Sequence, residues 1–144
     1  MNDTSATHTF RKAYTGRFIS IMSWSELAQF WEQLKALSDQ DWYIYATDSA
    51  PPNTATGSQA FCDFINKIDT LLRTQHEEDY CSIVFVDSKS APSIIKIYDP
   101  NNLGVVCGYS DDPPLPGWIL SRLPPAEIRQ ATARPPSFWR KVFF

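Results

Sequence analysis

Apolar residues recur along this chain with two different periods, and the changes from one to the other mark out its elements. From residue 24 to about 38, Leu27, Phe30, Trp31, Leu34 and Leu37 fall at three- and four-residue steps, which puts them on one stripe of a helix with Glu32 and Lys35 on the wet side. Ser23-Trp24-Ser25-Glu26 precedes that stripe and has the form of a capping box, in which a serine oxygen and a glutamate satisfy the free N–H groups of the first turn. A second helix follows Ser58, with Phe61, Phe64, Ile65, Ile68, Leu71 and Leu72 on one face and Asp63, Asn66, Lys67 and Arg73 elsewhere.

Between and after these stripes the runs shorten and β-branched and aromatic residues dominate, as strands require. Residues 17–22 and 42–46 read as the first two strands. Cys81-Ser82-Ile83-Val84-Phe85-Val86 and Ser93-Ile94-Ile95-Lys96-Ile97-Tyr98 read as a hairpin. Asp99-Pro100-Asn101-Asn102 is a further turn, and residues 103–107 return as the third strand of an 81–107 meander. Residues 117–123 are expected as an edge strand because prolines flank them, and residues 126–133 as a short helix. The helix after Ser58 is long enough for a crossover, so the strands on either side of it are expected to be parallel. The fold class is α+β: a mixed, mainly antiparallel sheet of about five strands with two amphipathic helices on one face.

Length and composition narrow this to one domain. A chain of 144 residues with 43% hydrophobic and 20% charged residues can bury a core without disulfides or metals. Residues 1–13 are polar at first and read as a disordered leader, residues 14–124 as the α+β domain, and residues 125–144 as a tail of different character. That division follows the charge. Residues 1–124 carry nine basic and fifteen acidic side chains, whereas the last twenty carry Arg129, Arg134, Arg140 and Lys141 against Glu127 alone. A formal charge of -3 opposes a nucleic-acid partner, which needs a broad basic face. Three cysteines and no apolar segment at residues 1–9 fit a reducing, cytoplasmic setting with free thiols.

Two places break local rules, and function is sought there. Glu77, Glu78 and Asp79 stand where the second helix should end, although a helix C-terminus disfavours acids by about 0.3–1 kcal/mol each. Either the helix stops near Arg73 and the acids are solvated, or a cationic group on the tail or on a partner meets them. Phe138, Trp139, Phe143 and Phe144 surround Arg140 and Lys141 in the last eight residues, a composition common in interface hot spots. This segment either packs across its own domain, docks on a partner, or meets an anionic membrane surface. Pro113, Pro114 and Trp118 lie on a proline-rich stretch whose extended backbone loses little entropy on binding. The function expected is thus a non-enzymatic binding module, accessory or regulatory, with a protein partner or a second copy of itself.

The alternative from a different class is a metal or thiol site. His76, Cys81 and Cys107 are the soft ligands that the strand order brings nearest one another, and with a carboxylate they suit zinc chemically. Their spacing matches no pattern that a turn would prescribe. No glycine-rich phosphate loop and no motif for a cofactor is present, and the paired acids Asp111 and Asp112 lie among prolines where solvent levels their acidity.

Overall fold

A computed structural model describes residues 3–75, 80–99 and 115–128. The chain runs α1 (Asp3–Tyr14), β1 (Ile19–Ser23), α2 (Trp24–Ala36), β2 (Tyr43–Ala46), α3 (Ser58–Gln75), β3 (Tyr80–Val86), β4 (Ile94–Ile97) and β5 (Trp118–Ser121). The five strands form one sheet in the order β1-β3-β4-β5-β2, and every neighbouring pair is antiparallel. None of the described helices is long and apolar enough to cross a membrane.

The apolar stripes of α2 and α3 lie together on one face of the sheet. Leu27, Phe30, Trp31 and Leu34 of α2 and Phe61, Phe64, Ile65, Ile68 and Leu72 of α3 share a core with Ile21, Val84, Val86, Ile95, Ile97, Trp118 and Leu120. Each such side chain contributes about 1.5–3 kcal/mol relative to exposure. The capping box forms: the Ser23 oxygen accepts from the Glu26 N–H at 3.0 Å, and Glu26 Oε1 accepts from the Met22 N–H at 3.2 Å. A polar tie joins the two helices. Asp69 accepts from Trp31 Nε1 at 3.1 Å and pairs with Arg73, whose guanidinium lies 5.0 Å over the Trp24 ring.

The opposite face is covered too, and there the structure departs from the expected pair of helices. The stretch expected to be a leader carries α1, whose Phe10 is fully buried with Tyr45, Ile94, Ile119 and Ala126. Arg11 and Lys12 in its last turn suit the helix dipole, and the Arg11 guanidinium donates to the Glu127 carbonyl at 2.9 Å. Residues 122–128 return across the same face, so the first residues of the expected tail belong to this second core. The sheet is a middle layer.

Two expectations about strand order are corrected. β5 is not an edge strand: it lies between β4 and β2, and all four of its residues are buried. Its prolines stand outside the ladder, where the Gly117 N–H donates to the Ile97 carbonyl at 2.8 Å, so they remove no strand hydrogen bond. β2 and β3 are neither adjacent nor parallel. α3 carries the chain from one edge of the sheet to the strand beside the other, and the three antiparallel steps between β3 and β2 leave them opposed. The hairpin of β3 and β4 forms as expected, whereas the expected strand 103–107 lies outside the described residues.

Candidate functional site

Of the residues singled out by sequence, Trp118 and Cys81 are described, and both are core. Trp118 is 1% exposed and meets Phe64 edge-on at a centroid distance of 5.0 Å. It is therefore not a surface contact. Its neighbours on both sides of the sheet are apolar, and the proline-rich stretch before it ends before the ladder begins. Cys81 is fully buried, and burial pushes its thiol above the usual range, which disfavours the thiolate a metal or nucleophile needs. His76, Glu77, Glu78, Asp79, Cys107, Pro113, Pro114, Phe138, Trp139, Arg140, Lys141, Phe143 and Phe144 lie outside the described residues. Among the described residues no group of three His, Cys, Asp or Glu side chains is disposed to hold a metal.

The structure instead brings together residues that no sequence motif marks. The registers line up Ser20, Phe85, Lys96, Ile119 and Tyr45 as one row across five strands, on the face that α1 covers. Lys96 stands at its middle, on the central strand. Its Nζ is 4.2 Å from the centre of the Tyr14 ring and 3.9 Å from that of Phe18. Phe85 and Tyr98 meet edge-on at 5.5 Å nearby. The ion pairs among the described residues are Lys35 with Glu32, Arg73 with Asp69 and Lys89 with Glu26, so none reaches Lys96. The Ser20 hydroxyl is buried with no hydrogen-bond partner among the described residues.

Burial lowers the Lys96 amine to about 8. The two rings oppose this, because cation–π contact favours the ammonium by about 0.5–1 kcal/mol at exposed sites and by about 2 kcal/mol when desolvated. These contacts act against the burial that lowers the amine. Tyr14 moves the other way, raised by burial first and then by Tyr98 and Tyr45, and Tyr98 is raised by burial. The result is a weakly basic amine among phenols that keep their protons. Such an amine can act as a nucleophile or proton acceptor near neutrality. Sequence carried one sign of it: Lys96 is the sole charge within Ile94-Ile95-Lys96-Ile97, a run apolar on both faces.

A pH profile of stability tests this environment. The folded amine titrates near 8 and the ordinary one near 10.5, so the unfolded chain holds the extra proton between those values. Stability therefore rises with pH across that window. The raised phenols of Tyr14 and Tyr98 act oppositely, withdrawing stability above pH 10, where an ordinary tyrosine ionises. Lys96→Met should remove the rise between pH 8 and 10 and add about 1 kcal/mol at pH 7, a figure kept small because the side chain is partly solvated. Urea unfolding from pH 7 to 10 decides it, and parallel profiles for the two proteins would refute the assignment.

The second exposed feature is the sheet's edge. β1 pairs with β3 on one side and with no other described strand, while the outer side of β2 is met by Thr56, whose N–H donates to the Trp42 carbonyl at 2.7 Å. Ile19 and Met22 on β1 are 47% and 52% exposed, the two large apolar side chains left open among the described residues. A register shift between Ile21 and Ser23, together with Glu26 on the Met22 N–H, blunts the far end of this edge. The near end meets no other described strand.

No protein-family model matches this chain, and no curated protein or solved structure is detectably similar to it.

Proposed function

We propose that the chain is a small non-enzymatic binding module, an accessory or regulatory protein of the cytoplasm that acts through protein–protein contacts. The observation that supports this reading is the edge at β1, unpaired among the described strands, with Ile19 and Met22 half exposed on it. A partner strand that pairs there gains backbone hydrogen bonds for affinity and side-chain contacts for specificity. The acidic residues Glu77, Glu78 and Asp79 favour a partner segment that carries cations. Pro113, Pro114 and the aromatic, basic residues 138–144 are the further contacts that composition suggests.

The test is a double variant, Ile19→Lys with Met22→Lys, because lysine on an edge strand opposes pairing with another chain. Both sites are exposed, so the unfolding free energy should change by no more than about 0.5 kcal/mol per site. Self-association measured by sedimentation velocity, or capture of a partner bound by the intact protein, should fall at least tenfold. A protein lacking residues 134–144 should show a partial loss. If neither change alters either measurement, the reading is wrong.

A further inference from the structure

We propose that β1 pairs with β1 of a second copy of this chain, antiparallel, about a two-fold axis at Ser20. This rests on the reading of β1 as a docking edge and names its occupant. Which backbone groups of β1 point outward follows from the registers. The Asp87 N–H donates to the Ile94 carbonyl and the Tyr98 N–H to the Ile83 carbonyl, so Ile83, Phe85 and Asp87 bond towards β4. Alternation in an antiparallel ladder turns Val84 and Val86 towards β1, where they meet Ile21 and Ile19. Ser20, between those two, turns its N–H and carbonyl away from β3, and neither meets a backbone group of another described strand.

A two-fold axis between antiparallel strands sets one residue directly against its own copy, and several features of β1 are satisfied together when that residue is Ser20. The two Ser20 residues then exchange two N–H···O=C bonds. Their side chains share the face that α1 covers, and the Ser20 hydroxyl, buried with no hydrogen-bond partner among the described residues, meets its own copy at cross-strand distance. Ile19 comes opposite Ile21 of the second copy and Met22 opposite Phe18, so each exposed apolar side chain is set against an apolar one. Arg17 is exposed and has no ion pair among the described residues. It comes opposite Ser23 of the second copy, one residue from the Met22 N–H that the Glu26 carboxylate holds, so opposite charges approach at both ends of the pair.

Neighbouring registers do less. An axis at Ile21 sets each Ser20 against Met22, whose N–H Glu26 already occupies, and an axis at Ile19 sets Arg17 against the buried Ile21. Both copies use the same edge in this contact, so it closes at two.

Sedimentation velocity on the intact protein tests the pairing, and because so short a ladder is smaller than a standard interface the series runs from about 5 µM to about 500 µM. The weight-average sedimentation coefficient should rise about 1.5-fold across it, as a monomer–dimer equilibrium requires. Ser20→Pro removes the outward N–H and no bond to β3, so association should weaken at least about tenfold while the protein stays folded. Ser20→Cys reads the register. Its α-carbons in the pair lie about 5.5 Å apart, within disulfide reach, and copper–phenanthroline oxidation should give a covalent dimer beyond any formed by the parent protein with its three cysteines. The two Met22 residues lie about 14 Å apart in the same pair, so Met22→Cys should cross-link at least about tenfold less. A protein that stays monomeric to the top of the series overturns the proposal, and so does a dimer that Ser20→Pro leaves intact or in which Met22→Cys cross-links as readily as Ser20→Cys. If the protein stays monomeric and Ile19→Lys with Met22→Lys still abolishes binding of a different protein, β1 remains a docking edge and the second copy is removed as its occupant.

Discussion

Replacing Trp118 with alanine is expected to lower the unfolding free energy by about 3–5 kcal/mol, the range for removing a large aromatic side chain from a packed core. The indole is 1% exposed. Its residue pairs with Ile97 on one side and Ala46 on the other, and its ring meets Phe64 of α3. Deleting it removes contacts to two strands and a helix at once, at a site where the surrounding strands cannot close the gap. Urea unfolding followed by circular dichroism measures the loss. A tryptophan that serves a partner would behave oppositely, with little change in stability and a large loss of binding. That outcome would return Trp118 to the surface role its sequence neighbourhood suggested.

The second large effect concerns α1. Phe10→Ala should cost about 3 kcal/mol, because the ring is fully buried against Tyr45, Ile94 and Ile119 and no neighbouring side chain of α1 can take its place. The cost has a ceiling. α1 covers one face of a sheet whose other core remains intact, so once the mutation exceeds the docking free energy of the helix, α1 detaches and the rest stays folded. The expected signature is loss of hydrogen-exchange protection in α1 together with a lower melting temperature. Unchanged protection in α1 and an unchanged melting temperature would place this helix outside the core. Detachment would also take the Tyr14 ring away from Lys96, so the pH profile of stability should flatten in the same variant.

How much of this could be read from sequence depended on how local the determining contacts are. α2 and α3 were legible because four or five large apolar residues repeat on one face of each, and Ser23 with Glu26 marks the start of α2. The hairpin of β3 and β4 was legible from two β-branched runs around a turn, which Asp87 closes by accepting from the Ser93 and Ile94 N–H groups. α1 was not, because Phe10, Ala13 and Tyr14 are the sole apolar positions of its last two turns and its partners lie on β2, β4 and β5, far along the chain. β5 is legible in the sequence as a strand, but its place in the sheet is not. The prolines around it point to an edge, whereas the unbroken burial of Trp118, Ile119, Leu120 and Ser121 is what a central strand shows. The candidate site divides in the same way. Trp118 drew attention by residue type and position and proved to be packing. Lys96 gave only the mild anomaly of one charge in an apolar strand, and what makes it unusual comes from Tyr14 and Phe18, brought in by tertiary structure.

The position of β5 also governs the order in which the sheet can assemble. β2 pairs with β5 and with no other described strand, so a nascent chain leaving the ribosome holds β2 without its partner while about seventy more residues are synthesised. Such a delayed, non-local pairing slows folding and leaves strand edges bare in the meantime. A chaperone that shields the Trp42 to Ala46 region during translation should therefore raise the yield of soluble protein, and release cut off before Trp118 should leave aggregation-prone fragments.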